Sequence, residues 1–530
     1  MKKTFLIAAS LAAALMASTV QAKTLVYCSE GSPEGFDPAL FTAGTTFDAS
    51  SKPIYNRLVE FENGTTKVIP GLAESWTVSE DGLELTFKLR SGVKFHSNDV
   101  FTPTRDFNAD DVVFTFERQL KEDNPWNKYT EGTSWEYFNA MDMPTLIKDI
   151  VKVDDMTVKF VLNRPEAPIV ANMAMDFASI FSKEYADKLT EMDAMADLNQ
   201  KPIGTGPFEF VAYQKDAVIR YKAHDGYWGD RPKIDDLIFA ITTDNSVRAQ
   251  KLKAGECQIA PYPNPADIPA LKADSNLQVM EQEGLNVGYL AYNTRVAPFD
   301  NRDVRKALNM AINKQAILDA VFDGAGTAAK NPIPPTMWSY DEATIDDPYD
   351  PDAARKMLAE AGVTNLKMKI WAMPVARPYN PNARRMAELL QDDFGKIGVE
   401  VEIVSYEWGE YLKLSKDLDR DGAVLLGWTG DNGDPDNFLA VLLSCSAVGA
   451  SNRAQWCNED FDKLTNQAKL ISDQAERTKL YVQAQEVFKQ EAPWATIAHS
   501  VVFMPMSTKV SGYKMDPLGG HRFDTVDLAE

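Results

Sequence analysis

Three short apolar runs in the second half of the chain, residues 366–372, 399–404 and 423–426, alternate with two segments whose apolar residues recur at helical spacing, 382–397 and 408–416. A β-α-β-α-β order of this kind predicts a parallel sheet with helices on its faces. The first half reads differently. Residues 23–27 form a first strand, and 83–89 alternate at the strand period. Residues 151–153 and 157–162 flank Asp154-Asp155-Met156 as an antiparallel hairpin. Asn108, with Asp111 three places on, opens a helix through Val112, Val113 and Phe116. Gly44-Thr45-Thr46 precedes a helix expected to run through Ile54 and Leu58. Strands and helices without regular alternation make this half an α+β arrangement.

Punctuation divides the chain further. Pro202-Ile203-Gly204-Thr205-Gly206-Pro207-Phe208 marks a return point, and Gly284-Leu285-Asn286-Val287-Gly288 a second crossing. Helices are expected at 246–254, stopped by Gly255, at 302–322, and from Asp350-Pro351 to Gly362, with two more at 460–471 and 474–490. Gly324-Ala325-Gly326 reads as a turn. The late apolar run 498–504 is placed to return to the first sheet, joining two lobes by more than one crossing. The expected domains are a core of 23–55, 205–284 and 500–530, an extra subdomain of 56–204, and a second lobe of 285–499.

The amino terminus changes the compartment. Lys2 and Lys3, the apolar stretch 5–17 and Val20-Gln21-Ala22 have the form of a signal peptide ending at residue 22. Such a short apolar stretch does not span a bilayer, and no later run is long enough. About 508 remaining residues exceed what one hydrophobic core supports. The formal charge of −22 becomes −24 once the two lysines are gone (−22 − 2), which argues against nucleic acid and anionic membrane as partners and against direct membrane insertion. Cys28, Cys257, Cys445 and Cys457 are an even set, inviting two bridges in an oxidising compartment. Cys445 with Cys457 closes a short loop and leaves Cys28 with Cys257.

Candidate chemistry gathers where the parallel strands end, since ligands of open α/β sheets bind beyond the carboxyl ends of the strands. Those ends carry Met373 to Tyr379, Tyr406-Glu407-Trp408, and Trp428-Thr429-Gly430-Asp431. One guanidinium, two carboxylates and four aromatic rings suit a small zwitterion. Arg377 takes a carboxylate, Asp431 an ammonium, and aromatic faces cover what lies between. Other chemistries lack their residues. The calcium-like start Asp417-Leu418-Asp419-Arg420-Asp421-Gly422 reaches Trp428 where a bidentate Glu belongs. The four histidines form no His-Glu-x-x-His pair, and no Gly-x-Ser-x-Gly elbow occurs. A secreted peptidase has no visible nucleophile or metal set, so neither an enzyme nor a cofactor is expected.

Several stretches resemble the family 5 solute-binding proteins of peptide ABC transporters. They are Gly71-Leu72-Ala73-Glu74-Ser75-Trp76, continuing through Leu89-Arg90-Ser91-Gly92-Val93, then Asn108-Ala109-Asp110-Asp111-Val112, Gly226-Tyr227-Trp228 and Val304-Arg305-Lys306-Ala307-Leu308. The segments Tyr27-Cys28-Ser29-Glu30-Gly31 and 427–437 are most similar to its dipeptide-binding members. The resemblance implies an α/β fold, a two-lobed periplasmic-binding-protein clamshell with an additional α+β subdomain. It implies a monomer in the periplasm that captures dipeptides for an inner-membrane ABC permease. Asp431 would meet the peptide's ammonium and Arg377 its carboxylate. Trp428, Tyr379 and Gly430 would line the pocket, with Gly44 and Thr45 approaching from the opposite lobe. The disulfides implied are Cys28 to Cys257 and Cys445 to Cys457. Haem and glutathione are the alternative ligands within the family.

Overall fold

The computed structural model describes residues 22–130 and 134–529; of the expected signal peptide, residues 1–21 lie outside them. Four strands form the first sheet: β1 (Thr24–Tyr27), β2 (Phe208–Gln214), β3 (Val218–Ala223) and β4 (Asp236–Ala240), in the order β1-β4-β3-β2. β1 runs parallel to β4, and the other pairs are antiparallel. The helix expected from Gly44 is present as α1 (Gly44–Ala49) but stops well before Ile54. Pro53 has no amide to continue it, and the carbonyls of Pro53 and Ile54 accept instead from Phe208 (2.9 Å) and Gly206 (2.8 Å). A side chain on Gly204 or Gly206 would collide with the Ile54 backbone, so the Gly-Thr-Gly of the return point is dictated by this close approach.

Between α1 and β2 the chain builds a separate antiparallel sheet from Ala73–Val78, Glu84–Leu89, Thr157–Leu162 and Ile147–Asp154, in that spatial order. The expected hairpin is its second half. Against it packs α2 (Ala109–Leu120), opened by a reciprocal cap in which the Asn108 side chain accepts from Asp110 N (2.9 Å) and the Asp111 carboxylate from Asn108 N (3.0 Å). This is the α+β subdomain.

The second lobe holds the predicted parallel unit. β5 (Leu277–Glu283) and β6 (Asn286–Tyr292) flank Gly284-Leu285. β7 (Lys367–Trp371), β8 (Glu400–Val404) and β9 (Ala423–Thr429) pair in parallel, β7 lying between the other two. α3 (Ala383–Lys396) and α4 (Trp408–Leu414) make the crossovers. The last strand of this sheet, β10 (Trp494–Ser507), is longer than the apolar run suggested. Its first part pairs with β6 and its second with β5, Leu277 facing Ser507 and Glu283 facing Val501. Ile259 bridges both Tyr27 and Met506, tying the first sheet to the same strand. The Tyr289 and Trp494 rings stack 3.9 Å apart at 10° beneath it.

Two further expectations are corrected. The helix over 302–322 ends at Ala311, because the Asn313 side chain accepts from Ala316 N (3.1 Å) and caps a new helix, which passes into a π-helical turn over Leu318–Phe322. Gly326, read as part of a turn, begins a short strand, Gly326–Ala328, that pairs with β10. The disulfides are Cys28–Cys257 and Cys445–Cys457. Among the described residues no helix is long and apolar enough to cross a membrane.

Candidate functional site

The carboxyl ends of β7 and β9 and the amino end of α1 converge on a cleft with about 800 Å³ of space between its walls, open solvent included. Gly44, Arg377, Tyr379, Trp428 and Asp431 all line it. The two charged residues picked from the strand ends therefore face one space from different loops of the second lobe.

Asp431 is set by the turn that follows β9. Asn437, in the first turn of α5 (Asp436–Leu443), accepts from both Asp431 N (2.7 Å) and Trp428 Nε1 (3.0 Å), which ties the turn to the ring beside it. The Asp431 carboxylate accepts from the phenol of Tyr137, which reaches across from the α+β subdomain. Burial pushes Asp431 up to about 7 against the lowering effect of the Tyr137 hydrogen bond, and the nearby Asp176 carboxylate adds to the rise.

Arg377 follows β7 in a turn closed by backbone bonds to Asn380 in both directions, each 3.0 Å. Its Nη1 donates to Glu30, in the loop after β1, and its guanidinium lies over the Tyr262 ring at 5.6 Å. Burial opposes its charge, but the Glu30 carboxylate more than offsets this and raises its pKa above the ordinary value. A β-carbon at Gly44 would stand 2.7 Å from Arg377 Nη2, so a residue without a side chain is what lets α1 start there. The Tyr379 ring lies on Gly427 under the same constraint.

Two expected lining residues lie elsewhere. Thr45 is turned toward the second lobe, where its Oγ accepts from Trp408 Nε1 (3.2 Å). Gly430 is behind the wall: its amide donates to Leu285 O (2.8 Å), and a β-carbon there would press on Phe438 and Leu285. Sequence reading also missed Tyr137, Glu30, the Lys52–Asp176 ion pair (2.8 Å) and Arg453, which lines the cleft. Tyr137 lies 294 residues from its partner and Glu30 347 from Arg377, beyond any local pattern. The usable signal was Glu30's place at a strand's carboxyl end in a Gly- and Pro-rich loop. Lys416 with Glu136 and Asn432 Nδ2 to Asn172 Oδ1 (2.9 Å) bridge the second lobe and the α+β subdomain.

The family description "bacterial extracellular solute-binding proteins, family 5, middle" matches residues 67–450. A dipeptide-binding protein of Escherichia coli (strain K12) is 57% identical over 521 residues, covering 98% of this chain and 97% of that protein. Heme-binding protein A of Haemophilus influenzae is 50% identical over 506 residues, covering 95% of this chain and 92% of the relative. A crystal structure of the dipeptide-binding protein from Pseudoalteromonas sp. SM9913, in complex with Met-Leu, superposes with a TM-score of 0.93 at 39% identity, covering 96% of this chain and 100% of the other. Its fold is the two-lobed periplasmic-binding-protein clamshell described above.

Proposed function

The chain belongs to the family 5 bacterial extracellular solute-binding proteins, and from that premise we propose that it captures dipeptides outside the cytoplasm and hands them to an inner-membrane ABC permease. The observation that carries the reading is the pair of opposite charges, Arg377 and Asp431, in the wall of one cleft. On this reading Asp431 receives the peptide's ammonium and Arg377 its carboxylate through the arm that Glu30 leaves free. Fixed charges at both ends limit ligand length, and the rings of Trp428 and Tyr379 cover the peptide between them. A dipeptide of about 10 to 15 heavy atoms, at roughly 0.6 kcal/mol each, gives an affinity near the micromolar range.

The basic and apolar start of the sequence supports export to the periplasm. The strand pairings support lobes made of 23–55, 205–284 and 500–530 on one side and 285–499 on the other, with 56–204 as the extra subdomain. We expect a monomer. Haem is the second reading, favoured by the Haemophilus relative. The cleft walls offer a haem iron Tyr289 and Tyr379 but neither His nor Met, while both ends suit a zwitterion.

Calorimetry on unfolded and refolded, ligand-free protein tests the proposal with Ala-Ala, acetyl-Ala-Ala and Ala-Ala-amide. Tight binding of the free dipeptide, much weakened by either cap and with the peptide recovered intact, is the expected result. Indifference to both caps, or cleavage, would overturn it.

A further inference from the structure

Two of the three cations in the cleft wall have a carboxylate partner, and Arg453 does not; Asp48 and Asp431, also in the wall, form no ion pair with a lysine or arginine among the described residues. Lys52 is paired with Asp176 and Arg377 with Glu30. Arg453 is also in the wall and only 4% exposed, yet among the described residues no carboxylate oxygen lies within 4.0 Å of its nitrogens. Its Nε donates to Ser415 Oγ (2.9 Å) and its Nη1 to the Ala450 carbonyl, both neutral acceptors. Nη2 donates to no group among the described residues. Arg420 adds to the local positive charge: it is buried as well, its Nη2 donates to the Arg453 carbonyl (2.8 Å), and its Nη1 to that of Gly422 (3.2 Å). Glu34 lies in the field of Arg453, and burial pushes it up to about 7 against the pull of Lys416 and Arg453, so it supplies only part of a counter-charge near neutrality.

A guanidinium removed from water is costly unless an anion meets it. Here the unmet cation stands in the wall of a ligand cleft, held by two neutral acceptors with one arm uncommitted. Arg377, by contrast, already has a carboxylate, so the Arg377–Glu30 pair brings no net charge. The Tyr379 phenol lies in the field of both guanidinium groups, which places them around the same part of the cleft.

We propose that Arg453 is a second anion seat of the cleft and takes a carboxylate of the bound peptide. The proposal rests on the dipeptide reading and extends it to ligand choice. Two carboxylates are available, the side chain of an Asp or Glu residue and the peptide's own carboxyl end, and they differ in what they predict.

The test titrates wild type, Arg453→Gln and Arg453→Lys with Ala-Ala, Ala-Gln and Ala-Glu, alongside melting temperatures. If a side-chain carboxylate is seated, Arg453→Gln weakens Ala-Glu at least tenfold more than Ala-Gln, and Arg453→Lys recovers most of the loss. If the carboxyl end is seated, all three peptides weaken at least tenfold together, and lysine again recovers them. Unchanged affinities would overturn the proposal. So would equal losses that lysine does not recover, because they would make Arg453 a brace for the 450–453 loop. A wild-type protein that binds none of the three peptides would instead sink the dipeptide reading, which separates the two failures.

Discussion

Tyr137 donates its phenolic hydrogen to the Asp431 carboxylate, so an acid of the second lobe is held by a residue of the α+β subdomain. The same phenol packs edge-on against Trp428, with ring centroids 5.9 Å apart. The extra subdomain thus reaches the ligand cleft directly, and it influences how much negative charge the cleft presents.

Tyr137→Phe should keep the fold and weaken dipeptide binding. A hydrogen bond to a charged group contributes about 1.5–3 kcal/mol, so a loss of roughly tenfold to a hundredfold is expected by calorimetry. An affinity within a factor of two of wild type would remove Tyr137 from the site.

Binding should be linked to proton release. Burial holds Asp431 up to about 7 in the empty cleft, while an ammonium beside it favours the ionised form. Below pH 7 the empty protein must give up a proton to bind. Affinity should therefore peak between about pH 7 and the ligand's own amino pKa of about 8, and fall by up to about tenfold per pH unit below that window. Calorimetry in buffers of different ionisation enthalpy at pH 6 should report a proton leaving on binding, and Asp431→Asn should abolish that signal. Equal apparent enthalpies across the buffers would contradict the assignment.

Arg377→Met should lose binding and stability together, because it strands the buried Glu30 carboxylate. Breaking a buried pair from one side costs about 3–5 kcal/mol. Adding Glu30→Gln should recover most of the melting temperature without recovering the ligand. Recovery of binding in the double variant would show that Arg377 acts only through Glu30.

Glu166 gives a pH signature of stability away from the cleft. Both its oxygens are buried without a hydrogen bond, and burial pushes it up to about 8 against the pull of Lys469. A carboxyl group whose folded pKa is raised contributes stability that is complete below its unfolded value and lost as pH rises through about 8. Glu166→Gln, which resembles the protonated form, should melt higher than wild type at pH 9 and close to it at pH 5. A constant difference between the two pH values would refute the shift.

What the sequence reveals here is what repeats over short distances. The β-α-β-α-β unit is legible because β7, β8 and β9 are apolar runs separated by helices with marked faces. The Asn108 cap and the Gly255 stop are legible because they act within one turn. Asp431 and Arg377 emerge from the rule about strand ends together with the family resemblance. Glu30 and Tyr137 do not, since each meets its partner across the cleft, and the Lys52–Asp176 pair does not, since its members are far apart in sequence. Gly204 and Gly206 read as loop punctuation, whereas their actual constraint is the Ile54 backbone against them. Thr45 and Gly430 adjoin cleft residues in sequence, while their own contacts run to Trp408 and to Leu285.

β10 completes the edges of both β5 and β6, and it is made late. Until Trp494–Ser507 is in place, the β5 and β6 edges that it covers stay open, so the strand made near the end of the chain is the one that joins the sheets of the two halves.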